Sequence, residues 1–310
     1  MPTFGTPAPI SVSVDISEGS AEIIASDRAN TVVEVRPSNP AKKIDVGAAE
    51  QTQVSYSDGV LTVKTPRNWR QYVVWSECGS VDVKIELPSG SRLRGEVGVG
   101  NAFLGPTRGS ELRGTGILGE CTFKVGAGDI QLSQAGPLQL RTGFGDITVE
   151  RAVGHSEMTT GCGAVHVSRI EGAAVVKSSN GDVWVGEAKA DLRATTANGK
   201  ISVALARADV EAKTANGSVQ INEVMGGTVH VHTAAGEVEV GVRRGVAALL
   251  DLEAPRGKVV NGLDASGPPK PGEASVEVRA RTGFGDIRIF RASGPDVAEG
   301  ACFTRTADHG

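Results

Sequence analysis

The stretch Arg141-Thr-Gly-Phe-Gly-Asp-Ile147 recurs letter for letter as Arg281-Thr-Gly-Phe-Gly-Asp-Ile287. Between the two copies runs a series of looser copies with the form Thr-small-x-Gly-polar-β-branched-x-β-branched. Nine anchor glycines mark the series: Gly128, Gly145, Gly163, Gly181, Gly199, Gly217, Gly236, Gly257 and Gly285. Their spacing is 17 to 19 residues as far as Gly236, then 21 and 28 residues. Self-similarity at a nearly fixed period predicts a repeat architecture.

Each repeat predicts two short strands. Apolar residues stand two and four positions after the glycine, as in Val183 and Val185, and five and seven positions before it, as in Leu192 and Ala194. Alternation with period two gives each strand one apolar face. The two strands of a single unit cannot bury these faces by themselves. Stacking of identical units covers them. The sequence therefore predicts an all-β fold: a β-solenoid of ~18-residue two-strand coils.

A meander of hairpins could use the same strands. Equivalent positions in neighbouring units are alike, however, which favours parallel coils stacked about 4.8 Å apart. Asn180, Asn198 and Asn216 share one position before the turn glycine. Their amides suit either a hydrogen-bonded ladder or a left-handed turn, and both alternatives stay open. A hydroxyl column with the same logic contains Thr142, Thr160, Ser178, Thr196, Thr214, Thr233 and Thr282.

Residues 1–90 lack the repeat and predict a non-repeating N-terminal β cap, which would cover an open sheet edge. Predicted strands cover Ile10 to Val14, Ala21 to Ile24, Thr31 to Val35, Val60 to Lys64 and Val81 to Leu87. Tyr56 to Gly59 predicts a hairpin turn, and Ala41 to Gln53 the one short helix. Residues 91–291 form the predicted solenoid, and residues 292–310 a flexible tail.

Composition and charge narrow the functional classes. The 41 glycines stand against 7 Phe, 2 Tyr and 3 Trp, which is typical of a thin core filled by Val and Ile. A net charge of −4 with both signs interspersed predicts no nucleic-acid partner. No apolar run approaches the roughly 20 residues of a membrane span, which predicts no membrane insertion. Residues 1–10 have no leader pattern, so we expect a cytoplasmic protein. Widely spaced Cys78, Cys121, Cys162 and Cys302 predict reduced thiols.

With these repeats, the stretches Pro9-Ile-Ser-Val-Ser-Val14, Val32-Val-Glu-Val-Arg-Pro37 and Gly59-Val-Leu-Thr-Val-Lys-Thr-Pro66 complete a recognisable pattern. The chain resembles the DUF4097 family of bacterial adhesin-like β-strand repeat proteins, over nearly its whole length to about Arg291. It is most similar to the cytosolic, signal-less forms common in actinobacteria. The resemblance implies a β-solenoid and no established activity.

The sequence contains no strong catalytic, phosphate-binding or metal-binding motif. The string from Val97 to Gly105 has its third glycine misplaced for a phosphate loop. The Gly-x-Gly-Asp turns differ from calcium-binding repeats because their aspartate column also holds Lys200 and Lys258, so we interpret them as solvated turns. His230 and His232 share an outer strand face without a third ligand. We predict no catalytic, metal or cofactor site.

A few outward residues predict an interaction surface. Trp184 lies between two inward valines and should point outward beside His166. Outward cations, among them Lys177 and Lys213, could join this aromatic in a recognition stripe for an acidic partner or a glycan. A merely solubilising outer face is the alternative. The loop outside the repeat adds Trp69 and Trp75 as candidates.

Three functions fit this pattern. The first is a non-enzymatic scaffold that binds a protein partner through a solenoid face or end, with homo-oligomers through the same surfaces. The second is glycan or surface binding in the manner of an adhesin. The third is a β-helix carbohydrate-active enzyme, which predicts a groove with clustered Asp/Glu and basic residues on one face. We predict no cofactor for the scaffold.

Overall fold

The computed structural model describes residues 1–65, 79–98, 110–264 and 274–292. Within these ranges the chain forms 26 strands and one helix, and the predicted β-solenoid is confirmed. No helix of the described ranges has both the length and the apolar character that crossing a membrane requires.

The middle of the chain forms a regular stack with two faces. The strands before the turn glycines build sheet I, and those after them build sheet II. Strand β10 (Cys121–Ala135) contributes to both sheets, and the strands that follow are β11 (Leu138–Phe144), β12 (Ile147–Ala152), β13 (Ser156–Cys162), β14 (Val165–Ile170), β15 (Ala174–Asn180), β16 (Val183–Ala188), β17 (Leu192–Asn198), β18 (Ile201–Ala206), β19 (Val210–Asn216) and β20 (Val219–Val224). Odd-numbered strands from β11 lie in sheet I and even-numbered ones in sheet II. Neighbours within each sheet are parallel, so the meander alternative is wrong.

The coils stack in register. Val183 lies between Val165 and Ile201 on the adjacent strands, and all three side chains point between the sheets. Leu192 and Ala194 bury the facing surface from sheet I. The two sheets thus enclose a narrow core of aliphatic side chains, in which Phe123 is the only aromatic among the buried residues that the structure describes. This explains the low aromatic content, since closely spaced sheets leave little room for larger rings.

The turn glycines are required by the stacking itself. Gly199 has φ +149°, a region that residues with a Cβ rarely adopt. A Cβ at Gly199 would lie 2.3 Å from the carbonyl oxygen of Gly181 in the preceding coil. The glycine column therefore lets successive turns approach at strand spacing.

The asparagine column forms the predicted ladder. Asn216 Nδ2 donates to Asn198 Oδ1 at 2.9 Å, and Asn198 Nδ2 donates to Asn180 Oδ1 at 2.8 Å. The ladder ends where Asn180 Nδ2 donates to Cys162 Sγ at 3.7 Å. None of these asparagines has a positive φ, so the left-handed turn alternative is wrong.

The hydroxyl column bonds to the backbone, and not along itself. Thr196 Oγ1 is buried and donates to the carbonyl oxygen of Gly181 in the preceding coil at 3.1 Å. The same bond, at 2.9 to 3.2 Å, is made from Thr142 to Gly128, Thr160 to Gly145, Ser178 to Gly163, Thr214 to Gly199, Thr233 to Gly217 and Thr282 to Gly236. Each hydroxyl thus gives a turn carbonyl an added hydrogen-bond partner, which ties neighbouring coils together.

At the amino-terminal end the chain extends both sheets, and antiparallel strands then cover the last parallel strand of each. The elements of this end are β1 (Thr3–Gly5), β2 (Ser11–Ile16), β3 (Gly19–Ser26), β4 (Asn30–Pro37), α1 (Lys43–Gln51), β5 (Gln53–Ser57), β6 (Val60–Lys64), β7 (Val81–Pro88), β8 (Arg92–Val97) and β9 (Ser110–Leu118). Strands β2 and β3 pair in parallel with β8 and β9 on one side and with β6 and β7 on the other. Antiparallel β5 and β4 then cover β6 and β7, and β1 pairs with β4. The predicted boundary near residue 90 stays a prediction.

The short helix and the hairpin lie where the sequence predicts them. Helix α1 contacts β4 and β7, and its buried Asp45 accepts a hydrogen bond from the backbone N–H of Ser80 at 3.0 Å. The turn from β5 to β6 has positive φ at both Asp58 and Gly59, as a tight two-residue hairpin requires.

At the carboxyl-terminal end the chain order and the stacking order differ. The strands are β21 (Gly227–Ala235), β22 (Val238–Val242), β23 (Ala247–Glu253), β24 (Val259–Asn261), β25 (Ser275–Phe284) and β26 (Ile287–Arg291). In sheet I, β25 pairs with both β21 and β23, and in sheet II, β26 pairs with both β22 and β24. The last coil that the structure describes, β25 and β26, is thus inserted beneath the coil that precedes it in the chain. The predicted tail from residue 293 onward lies outside the described residues.

Candidate functional site

The outer face of sheet II carries a stacked aromatic pair. Trp184 on β16 and His166 on β14 occupy adjacent strands, and their ring centroids lie 4.0 Å apart with 14° between the planes. The Trp184 ring leans over Gly186, where an added Cβ would lie 3.0 Å from its Cη2 atom. Trp184 is 36% exposed. Stacking and the missing side chain at Gly186 thus hold a flat indole surface open to solvent.

Polar side chains lie on one side of this pair. Ser202 continues its row on the next strand, followed by Gln220. Lys200 Nζ donates to Gln220 Oε1 at 2.7 Å. The surface therefore has an aromatic centre with hydroxyl and amide groups on one side, an arrangement that can make both apolar contacts and hydrogen bonds.

The two candidate lysines lie elsewhere. Lys177 on β15 and Lys213 on β19 point outward from sheet I, on the opposite side of the solenoid from Trp184. The expected single stripe of aromatic and cationic groups is therefore not formed, because the position four before the glycine belongs to the other strand of the coil. Trp69 and Trp75 lie outside the described residues.

The outer face of sheet I is grooved. One depression on this face has a volume of about 580 Å³ and opens to solvent near the carboxyl-terminal end. It is lined by Glu211, Lys213, His230, Val231, His232, Asp251, Arg279 and Arg281. A second depression of about 370 Å³ shares Glu211 and His230 with it and continues toward β13. Two further depressions follow along the same face toward the amino-terminal end.

The insertion of β25 assembles the charges of this groove. His230 and His232 on β21 lie directly beside Arg279 and Arg281 on β25. On its other side, β21 pairs with β19, which brings Glu211 next to His230 and Lys213 next to His232. Sequence reasoning identified the histidine pair and Lys213 but missed the two arginines as their neighbours, since β23 intervenes in the chain.

Most of these charged side chains form ion pairs. Glu211 bonds to Lys213 and lies 2.6 Å from Arg193. The hydrogen bond from Lys213 lowers the pKa of the Glu211 carboxyl, opposed in part by burial. On the far side of the groove, Arg281 Nε lies 3.4 Å from a carboxylate oxygen of Glu253, and Arg279 pairs with Glu277 on its own strand.

The Gly-x-Gly-Asp turns have a structural role. Asp129 Oδ1 accepts a hydrogen bond from the backbone N–H of Asp146 at 2.8 Å, and Asp146 Oδ1 accepts one from the backbone N–H of Ala164 at 2.7 Å. Each aspartate thus bonds to the same position of an adjacent coil. Among the described residues, no three or more His, Cys, Asp or Glu side chains are grouped so that they could hold a metal ion.

The described cysteines are free thiols. Cys121 is buried, and burial, aided by the nearby Glu120 charge, raises its pKa to about 12. Cys162 is half-buried at the end of the asparagine ladder. Cys78 and Cys302 lie outside the described residues.

Comparison with known proteins identifies one family. The profile described as Toastrack DUF4097 matches residues 10–290. No curated protein matches the chain. Similar solved structures include a candidate cell adhesion protein of Clostridium sporogenes, at 11% identity and TM-score 0.20, covering 93% of this chain and 94% of that one. A candidate adhesin of Bacteroides fragilis (10% identity, TM-score 0.39) and a candidate lipid-binding protein of Parabacteroides distasonis (10%, 0.35) each cover 93% of this chain and 95% of theirs.

Proposed function

The chain belongs to the DUF4097 Toastrack family, and on that premise we propose that it is a non-enzymatic scaffold that binds a protein partner through the outer face of sheet II. The observation that carries the proposal is the stacked pair of Trp184 and His166. Tryptophan is among the residues that dominate the binding energy of protein interfaces. A cytoplasmic location belongs to the same proposal, and cell fractionation tests it.

Order in the unbound state supports this role. The indole of Trp184 is held against His166 and over Gly186, so binding would cost it little side-chain entropy. The strand beneath it pairs with parallel strands on both sides, so the platform rests on the interior of the sheet. A rigid support of this kind favours recognition without rearrangement.

The ion-paired state of Glu211 in the sheet I groove supports the proposal of a non-enzymatic protein. The groove has the mixed acidic and basic lining that the carbohydrate-active enzyme predicts. A glycoside-cleaving general acid needs a carboxyl whose pKa is raised, so that it is protonated near neutral pH. The hydrogen bond from Lys213 instead lowers the pKa of Glu211. This carboxylate serves as an ion-pair partner, and we do not propose an enzyme.

The test compares the proteins retained by immobilised wild-type chain with those retained by Trp184→Ala and by Gln131→Ala. Gln131 lies in the same outward row of sheet II, three strands from Trp184, and is exposed. We expect a partner held by wild type and Gln131→Ala but lost with Trp184→Ala. The purified partner should bind Trp184→Ala at least about tenfold more weakly, as expected for an interface hot spot. Equal retention by all three baits would overturn the proposal.

A glycan ligand is the second candidate, favoured by the same flat ring with Ser202 and Gln220 beside it. Sugar rings stack on exposed tryptophan while their hydroxyls bond to polar neighbours. A glycan array probed with wild type and Trp184→Ala distinguishes the two functions. Binding that disappears with Trp184→Ala supports the glycan, and silence on the array excludes it.

A further inference from the structure

The sheet I groove is a second surface, on the opposite side of the solenoid from Trp184. We propose that its carboxyl-terminal third is a pH-gated binding site for a linear acidic polysaccharide, with His230 and His232 as the gate and Arg279 and Arg281 as the fixed anion-binding groups. The observation behind it is the placement of a histidine pair directly beside an arginine pair, both pointing outward in register on neighbouring parallel strands.

The spacing of the four groups suits a charged polymer. Neighbouring parallel strands lie about 4.8 Å apart, and successive outward residues of one strand lie about 6.6 Å apart. His230, His232, Arg279 and Arg281 therefore mark the corners of a small rectangle on the groove floor. All four side chains are exposed. A ligand that lies across them meets up to four donors at once.

At neutral pH the rectangle is balanced by carboxylates. Arg279 pairs with Glu277, and Arg281 pairs with Glu253. On the other side, β19 contributes the pair of Lys213 with Glu211, and Arg193 on β17 also contacts Glu211. Asp251 on β23 lies opposite Arg279 and completes the lining. Asp209 also lies beside His230, in the adjoining depression. Carboxylates therefore at least balance the cations, so the groove attracts an anion only weakly.

Acidification changes this balance in one direction. Histidine is the side chain whose charge ordinarily changes between about pH 5 and pH 8. Protonation of His230 and His232 would add two positive charges to a groove whose other cations are balanced by carboxylates. Carboxylic acids ordinarily stay charged in this range, and the hydrogen bond from Lys213 lowers the pKa of Glu211 below its ordinary value. Affinity for an anion therefore rises as the pH falls from about 7.5 to 5.5.

Arg279 and Arg281 can exchange their carboxylate partners for a ligand anion at little cost in free energy. Exposed ion pairs contribute little to stability, and the side chains of Arg281 and Glu253 are 60% and 58% exposed. A sulfate or carboxylate group of a ligand can therefore replace Glu253 as the partner of Arg281. The histidines supply the surplus charge, and the arginines supply planar, multidentate contacts to the anion.

The surface favours a polysaccharide over an acidic peptide. Within the groove, β19, β21 and β25 pair with strands on both sides, so their backbone groups are engaged in the sheet. An extended peptide gains affinity chiefly by adding to a free strand edge, which the floor of the groove does not offer. Recognition here depends on the side-chain charges of the two arginines and the two histidines. A linear polymer with an anion on each sugar unit fits such a surface.

Binding of a size-defined sulfated oligosaccharide prepared from heparin tests the proposal by calorimetry at pH 7.5 and pH 5.5 in constant salt. We expect affinity to rise on the order of tenfold at the lower pH, because two charges are added near the ligand. His230→Gln/His232→Gln should bind as wild type does at pH 7.5 and lose the gain at pH 5.5. Arg279→Gln/Arg281→Gln should bind more weakly at both values.

The matched control removes charge from the other side of the solenoid. Arg113→Gln/Arg288→Gln eliminates two cations of sheet II, which pair with Glu111 and Glu239, and should keep the full pH response. Thermal unfolding at both pH values checks that each variant is folded.

A pH-independent wild-type affinity, or a full gain of affinity in the histidine variant at pH 5.5, would overturn the proposal of a pH gate. Equal binding of poly-glutamate at matched charge would overturn the polysaccharide in favour of an acidic protein. Trp184→Ala should bind the oligosaccharide as wild type does, so the failure of one proposal would leave the other untouched.

Discussion

The middle of the solenoid and its carboxyl-terminal end use the same repeat but are assembled differently. From β11 to β20, each coil stacks on the coil that precedes it in the chain. After β22 the chain first builds the outermost coil, β23 and β24, and then returns to place β25 and β26 beneath it. The inserted coil carries the exact second copy of the motif, Arg281 to Ile287, whereas the outermost coil carries the degenerate string around Gly257.

The difference indicates what sets stacking order. An interior coil must match a neighbour on both sides, and a terminal coil must match on one side only. The consensus copy is therefore used inside, and the poorest copy forms the end, where Leu250 and Leu252 stay half-buried. In the middle, the equivalent residue Leu192 is buried. Sequence similarity between coils, and not adjacency in the chain, explains this arrangement.

The largest effect that separates the two regions should come from a charge in the core. Val183→Asp places a carboxylate where the side chain is fully buried between two coils, and we expect a loss of about 4–5 kcal/mol in unfolding free energy. Leu250→Asp at the half-buried end should cost about 1–2 kcal/mol, because water reaches the carboxylate. Urea unfolding followed by circular dichroism measures both. Equal losses would mean that the end is packed as tightly as the middle.

A backbone change gives an intermediate effect. Gly199→Ala combines φ +149° with a Cβ 2.3 Å from the Gly181 carbonyl oxygen, and should destabilise the middle by about 3 kcal/mol. Gly245→Ala, in the turn before β23, also has positive φ (+82°) but no atom within 4 Å of the added Cβ. Its cost should be about 1 kcal/mol, the conformational part alone. The same unfolding curves show the contrast, and an alanine tolerated equally at both sites would contradict the close approach of the coils.

The smallest effect concerns the asparagine ladder, which stops where the end region begins. Asn198→Ala removes one donor and one acceptor of exposed hydrogen bonds, and should cost about 1 kcal/mol. Ala235 is the register partner of Asn216 on β21. Ala235→Asn would lengthen the ladder by one rung and should stabilise the protein by about 0.5 kcal/mol. A destabilised Ala235→Asn variant would show that the ladder cannot be extended into the end region.

Local periodicity was sufficient to predict much of the fold and little of the candidate sites. The alternation around Gly181 and Gly199 predicted strands, inward residues and parallel stacking, because a two-residue period fixes which side chains share a face. Lys177 was expected beside Trp184, yet the two lie on opposite sheets. The repeat pattern predicts that both side chains point outward, but only the fold shows that their strands belong to different sheets. The stacking of His166 on Trp184 followed the predicted register and could be expected from it.

The sequence by itself determined the coil: its length, its glycine turn, its Val and Ile core, and the outward position of Trp184. These properties depend on residues close together in the chain, where sterics and hydrophobic alternation act directly. Only the tertiary structure decided the order of coils at the end, since any coil with a matching face can stack on any other. That choice brings Arg279 and Arg281 beside His230 and His232, although β23 separates them in the chain. The sheet I groove therefore owes its chemistry to the insertion of a coil.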